Sequence, residues 1–240
     1  MPSSKTVRTG SKAKPQVPLS EQAYLTIRES ILRGRVRPGT VFSRRKLAEE
    51  YGMSFLPISE ALQRLENDGL VESRPRAGTR VRVPTVEEIR GRYVVREALE
   101  AQSARLCCDR ATFEERLELR RMAEQLDTLY AHAESAEPDF QFVVHTHHLE
   151  LHMRIAQYGR CKELRDAIEK NHVLIYNWFY DVAAERRSLP PHFHAELVQQ
   201  VTGTDIRAAD DAMREHVRYG LPFIEERIAP SSPGEWRLKR

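Results

Sequence analysis

Residues 43 to 83, SRRKLAEEYGMSFLPISEALQRLENDGLVESRPRAGTRVRV, read as helix, tight turn, helix and two-stranded hairpin. Leu47, Ala48 and Tyr51 share one face of a short helix, and Gly52-Met53-Ser54 makes the turn, with Ser54 an N-cap for the next helix. Pro57 falls in that helix's first turn, where a missing N–H costs little. Ile58, Ala61, Leu62 and Leu65 repeat at helical spacing until Asn67-Asp68-Gly69 ends the run. Two short extended segments follow, Leu70 to Ser73 and Thr79 to Val83, joined by the basic turn Arg74-Pro75-Arg76-Ala77-Gly78. This order describes a winged helix-turn-helix, whose second helix enters the major groove while basic side chains hold phosphates. Arg44, Arg45 and Lys46 open the first helix, Ser54, Phe55 and Ser59 lie on the second, and Arg74, Arg76, Gly78 and Arg80 lie in the wing. These are the candidate DNA contacts, clustered on the one motif that calls for them.

The pattern from Tyr24 through Ile31, then Gly34-Arg35-Val36-Arg37-Pro38-Gly39-Thr40, Leu47-Ala48, Pro57-Ile58-Ser59-Glu60-Ala61-Leu62, Leu65-Glu66, Gly69-Leu70-Val71 and Gly78-Thr79-Arg80-Val81, resembles the DNA-binding domain of GntR bacterial transcription regulators. The resemblance implies guanine-reading arginines at three positions. Arg45 matches one, while Phe55 and Ser59 occupy the other two. Each bidentate Arg–guanine contact carries about 1–3 kcal/mol of discrimination, so the family's usual operator does not transfer to this chain.

The charge distribution supports a division of labour. Residues 1–83 hold 16 Lys and Arg against 8 Asp and Glu, whereas the remainder holds 22 against 27. A basic N-terminal part suits a polyanion and an acidic C-terminal part does not. Residues 1–18, rich in Ser, Lys, Pro and Thr, are expected to be a disordered basic tail in which Lys5, Arg8, Lys12 and Lys14 are mainly solvated. Leu19 to Arg33, opened by Ser20, should be a supporting helix, so the winged domain is expected over 19–83. The longest apolar stretch, Val173 to Tyr180, is too short to span a bilayer. An apolar leader is absent from the N-terminus, and three cysteines without a C-x-x-C pair suit a reducing cytoplasm.

After Pro84, Thr85-Val86-Glu87-Glu88 is a capping box that starts a new helix. Helices are expected over about 86–108, 113–134 (opened by a second box, Thr112 to Glu115), 139–157, 162–186, 192–202 and 205–228, with a tail over 230–240. The fold class is therefore mainly α: a winged helix-turn-helix with a small β wing, then an all-α antiparallel bundle over 85–229. That bundle resembles the effector domain of the FadR subfamily of GntR regulators (the FCD type), through Tyr93 to Glu100, Leu151-His152, His194 and His216 with Gly203-Thr204-Asp205 between them.

His148 and His152, four apart on one helix, face the same way and can share an ion. The resemblance implies that His194 and His216 complete a divalent-metal site with them, and that the metal anchors a carboxylate effector. It also implies an Asp at the position of His148. Four imidazoles without that Asp favour zinc, nickel or copper over magnesium or manganese, and leave the ion's charge for an anionic ligand. His145 and His147 are possible substitutes, and His132, His172 and His192 read as bystanders. Arg96, on one face with Tyr93 and Glu100, is a candidate partner for the effector carboxylate or else a salt-bridge residue. Tyr176, Asn177 and Tyr180 are core or cavity residues.

An enzyme is not expected. In His148-Leu149-Glu150-Leu151-His152 the Glu stands two residues after the first His, which on a helix turns it away from an ion held by the histidines. No nucleophile elbow, P-loop or dinucleotide fingerprint is present. The expectation is a cytoplasmic homodimeric regulator, a repressor, that binds double-stranded operator DNA and senses a small carboxylate through zinc or nickel. Two alternatives stand beside it: the ion itself is the signal, or the helical part only dimerises and its histidines are structural.

Overall fold

The computed structural model describes residues 17–132, 138–170 and 189–228. Residues 1–16 of the tail expected over 1–18, the tail expected over 230–240, the continuation of a helix from 171 to 186, and His172, Tyr176, Asn177 and Tyr180 lie outside these residues.

The N-terminal part follows the order α1 (Leu19–Leu32), β1 (Val41–Phe42), α2 (Arg44–Tyr51), α3 (Phe55–Asn67), β2 (Val71–Arg74) and β3 (Gly78–Val81). Helix α2 starts at Ser43, whose side chain accepts from the Lys46 N–H, and stops at Gly52 with φ +61°. A left-handed residue there is costly for any side chain with a Cβ, which is why glycine makes this turn. Ser54 occupies the N-cap position of α3 without a side-chain cap bond. Ala23, Ile27 and Ile31 of α1 meet Ile58, Ala61, Leu62 and Leu65 of α3 in a dry core, where each full-sized aliphatic side chain contributes roughly 1.5–3 kcal/mol. Ser20 does not open α1, since Pro18 holds the N-cap position.

The wing has one more strand than the hairpin read from the sequence. Val41 pairs with Arg80 and Phe42 with Thr79, placing β3 in the centre of a three-stranded antiparallel sheet of order β1-β3-β2. A strand of two residues, Val41–Phe42, is too short to announce itself by alternation.

The remaining described helices are α4 (Val86–Arg110), α5 (Phe113–His132), α6 (Pro138–Tyr158), α7 (Lys162–Lys170), then Phe193–Val201 as α8, Ile206–Tyr219 as α9 and Leu221–Ile228 as α10. Both capping boxes form: Thr85 with Glu88, and Thr112 with Glu115 through bonds of 2.8 and 3.3 Å. Helix α4 is the axis of the bundle, packed along α9 and touching α6, α7, α8 and α10. The single helix expected over 205–228 is two, broken at Gly220. Pro222 has no N–H for the carbonyl one turn back, so the ladder fails there, and a Cβ at Gly220 would stand 3.4 Å from the Tyr93 hydroxyl of α4. No helix among the described residues is long and apolar enough to cross a membrane.

Candidate metal centre and nucleic-acid interface

Three helices bring four imidazoles together. Helix α6 carries His148 and His152, α8 carries His194 and α9 carries His216. Their exposures are 9, 2, 0 and 7%, so all four are removed from bulk water. His152 Nε2 lies 2.9 Å from His148 Nε2 and 3.1 Å from His216 Nε2, and the last two are 3.5 Å apart. One ring nitrogen from each of His148, His194 and His216 falls within 4.8 Å of the others. A four-coordinate zinc with Zn–N near 2.0–2.1 Å needs its nitrogens about 3.3 Å apart. The spacings among His148, His152 and His216 bracket that value, His194 is held only to within 4.8 Å of His148 and His216, and an imidazole donor set suits zinc or nickel.

The outer nitrogens explain why the inner ones converge. His194 Nδ1 is 2.7 Å from Asp127 Oδ1 of α5, and His152 Nδ1 pairs with Glu100 Oε2 of α4. A carboxylate on Nδ1 holds the proton there and leaves the Nε2 lone pair for a ligand. Asp127 does a second job, accepting the N–H groups of His194 at 3.0 Å and Ala195 at 2.9 Å. It thereby caps α8, whose own N-cap residue His192 sits at φ +61° with no side-chain bond. Burial pushes Asp127 up, but the His194 ring and these amides outweigh it and hold the carboxyl below its usual range. Burial likewise opposes ionisation of Glu100, yet Arg96 and His152 bring it down to about 2. Burial, followed by the neighbouring imidazoles, drives His148 and His216 well below their ordinary value, so both rings are neutral and able to coordinate. Phe193 stacks on His216 at 4.6 Å and Tyr130 on His194 at 4.9 Å, fixing the ring planes.

Beside the histidines lies a cavity of about 260 Å³, with Tyr93, Arg96, Phe193, Val217 and Phe223 among its walls and Glu226 at its edge. Arg96 reaches this cavity, but its guanidinium is buried and bonds Glu100 Oε1 at 2.6 Å through Nε. The sequence reading missed Glu100 and Asp127 as partners of the histidines. Glu100 left a trace as the fourth residue after Arg96, whereas Asp127 meets His194 across 67 residues and left none. His145 is buried outside the cluster, His147 bonds back to the Val143 carbonyl and His132 to that of Thr128.

In the winged part, Arg44, Arg45 and Lys46 stand exposed at the start of α2 and Arg74 and Arg76 at the wing tip. Arg44 also reaches Thr79 Oγ1 at 3.4 Å. Ser54 and Phe55 are exposed at the start of α3, and Ser59 is half-buried with its hydroxyl donating to the Phe55 carbonyl at 3.0 Å. Gly78, at φ +92°, starts β3 against Val41. Arg80 differs from expectation. It is 5% exposed and paired with Glu72 at 2.7 Å, because β3 is the central strand and both its faces are covered.

Comparison with known proteins agrees with this architecture. The profile of "Bacterial regulatory proteins, gntR family" matches residues 19–81 and that of the "FCD domain" matches residues 92–219. The HTH-type transcriptional repressor RspR of Escherichia coli K12 is 25% identical over 226 residues, covering 89% of this chain and 91% of that protein. The Nta operon transcriptional regulator of Aminobacter aminovorans is 28% identical over 160 residues, 66% of this chain and 72% of its own. Among solved structures, E. coli McbR/YncC superposes with a TM-score of 0.66 at 17% identity, covering 88% of this chain and 99% of that one. A GntR regulator from Rhodococcus sp. RHA1 gives 0.63 at 19% identity, covering 89% and 98%. With one profile on the winged part and another over more than half of its length, the chain belongs to the gntR family of bacterial regulatory proteins and is a DNA-binding transcriptional regulator with an FCD domain.

Proposed function

We propose that this regulator acts as a homodimer whose helical domain holds a zinc or nickel ion on His148, His152, His194 and His216 and senses a small carboxylate beside it. The observation that carries the reading is the convergence of the Nε2 atoms of His148, His152 and His216 at 2.9–3.5 Å, with a ring nitrogen of His194 within 4.8 Å of those of His148 and His216. Where these nitrogens present lone pairs to one another at that spacing they repel, and a shared cation would relieve the repulsion. The ion would supply a positive anchor in the cavity. Arg96 and Glu100 cancel each other's charge and Asp127 balances one of the ion's two charges, so the histidine side of the cavity would stay positive and favour an anionic group there, with Glu226 the carboxylate elsewhere in the lining. The apolar walls from Phe193, Val217 and Phe223 suit the organic body of such an acid.

Helix α6 links that site to the DNA-binding part. It bears His148 and His152, and near its start Asp139 receives Arg35 at 2.7 Å and Arg33 at 2.5 Å from the segment after α1. Arg33 also lies 4.0 Å over the Phe142 ring. A ligand that binds one setting of α6 better than another changes the placement of the winged domains, and hence operator affinity, by that difference in affinity. The direction proposed is release of DNA, as in a repressor.

A native mass spectrum of untagged protein purified without chelator tests the metal reading. A dimer carrying one ion per chain is expected, and a dimer that takes up neither zinc nor nickel in excess overturns it. Titration of monocarboxylates against the metal-loaded protein on DNA tests the sensor, which unchanged DNA affinity throughout would refute. A change in DNA affinity with zinc alone would make the ion the signal.

A further inference from the structure

The centre of the DNA-facing surface is apolar. Helix α3 buries Pro57, Ile58, Leu62 and Leu65 on one face, which leaves Phe55 and Leu56 at its start bare, 58% and 67% exposed. Ser59, one turn on from Phe55, spends its hydroxyl on the helix backbone, and Glu60 is acidic. The one basic residue of α3 is Arg64 in its last turn, which pairs with Glu21 and stacks 4.0 Å over Tyr24. No guanidinium on α3 is therefore placed to grip a guanine edge, although Arg44, Arg45 and Lys46 are exposed at the start of α2, which packs against α3, and Arg76 is exposed in the wing. Exposed basic side chains on α2 and the wing, together with two bare apolar side chains at the start of α3, complement a strip of duplex whose edges are phosphate and whose floor is apolar. In the major groove the thymine C5-methyl group is the feature that answers this description.

We infer that Phe55 and Leu56 read thymines in the operator through their C5-methyl groups, so that the half-site is selected by apolar contact at the positions under the first turn of α3. The inference rests on the DNA-binding role of the winged domain and names the bases it selects. An exposed phenyl ring on a guanine or cytosine edge leaves polar groups desolvated and unpaired, which supplies the discrimination against those bases.

The test uses the full chain and a random-sequence duplex library, followed by affinity measurement on the selected duplex. Thymines should be enriched in each half-site, and Phe55→Ala or Leu56→Ala should erase that preference while leaving the flanking selection in place. Replacing the selected thymines by deoxyuridine removes only the methyl groups. Each should weaken wild-type binding about fourfold, the equivalent of about 0.8 kcal/mol for one buried methyl-sized group, and should leave Phe55→Ala binding nearly unchanged. Equal wild-type affinity for the thymine and deoxyuridine duplexes overturns the inference, as does an unchanged selected sequence for both variants. Since the deoxyuridine comparison needs no variant, it decides the question even where a substitution disturbs folding. Failure to enrich any sequence would instead overturn specific DNA reading itself, and the inference with it.

Discussion

Replacing Glu100 by glutamine should damage stability and metal affinity together, and the structure separates the two effects. Glu100 is 1% exposed and stands between the Arg96 guanidinium at 2.6 Å and the His152 ring. A neutral amide takes the Glu100 charge away from the buried Arg96 guanidinium, and losing one partner of a buried pair costs about 3–5 kcal/mol. For a chain of this size that corresponds to a fall in melting temperature of about 6–20 °C, at about 2–4 °C per kcal/mol. His152 simultaneously loses the carboxylate that keeps its proton on Nδ1, so zinc affinity should fall roughly 10–100-fold. Calorimetry in chelator reads the first effect, and zinc competition against a chromophoric chelator reads the second. The double variant Arg96→Met/Glu100→Gln removes the stranded charge as well, so it should regain much of the melting temperature without regaining zinc affinity. Wild-type zinc affinity in Glu100→Gln, or melting and zinc affinity restored together in the double variant, would refute this account of the carboxylate.

In the winged domain, Arg45→Ala and Arg76→Ala should weaken binding evenly across sequences and each reduce the salt slope of the affinity by about 0.9, as read by fluorescence anisotropy at several salt concentrations. Arg80→Met should instead lower the melting temperature by leaving Glu72 without its partner in the sheet, with the salt slope unchanged. Asp139→Ala should hardly move the melting temperature, because its carboxylate is solvent-screened. It should nevertheless shrink the ratio of DNA affinities with and without zinc, and an unaltered ratio would remove α6 as the link. Burial, and then the bond from its hydroxyl to Asp68 at 2.5 Å, raise Tyr24 from 10.0 to about 12. A folded-state value above the unfolded one means stability that is complete below pH 10 and is lost as pH rises towards 12. Tyr24→Phe should therefore flatten the alkaline limb of the stability curve between those values, and a limb of unchanged slope would exclude Tyr24 as its source.

Much of the fold is readable along the chain because its signals are local. Gly52 as the left-handed stop, the capping pairs Thr85/Glu88 and Thr112/Glu115, and the Ile58-Ala61-Leu62-Leu65 stripe each act within four residues. His148 and His152 are equally local, and one turn of helix suffices to align them. Strand β1 was illegible because two residues carry no period. The break before α10 was written in Pro222 yet hidden by the apolar spacing that continues across it. Arg80 looked like a DNA contact because a charged residue in an outer hairpin strand faces water, and the added strand gave that position cross-strand neighbours on both sides, Glu72 and Val41.

Local sequence was thus sufficient for the helix-turn-helix, the helical character of the second domain and the pair of histidines on α6, since backbone preference and amphipathic spacing operate over a few residues. Which groups share the dry centre was decided only in three dimensions. Packing α5, α8 and α9 around α4 and α6 brought Asp127 to His194, Glu100 to His152 and His216 to both histidines of α6. The physical reason is that a buried lone pair or carboxylate must find its partner wherever in the chain it lies, and that search is settled by the packing of whole helices.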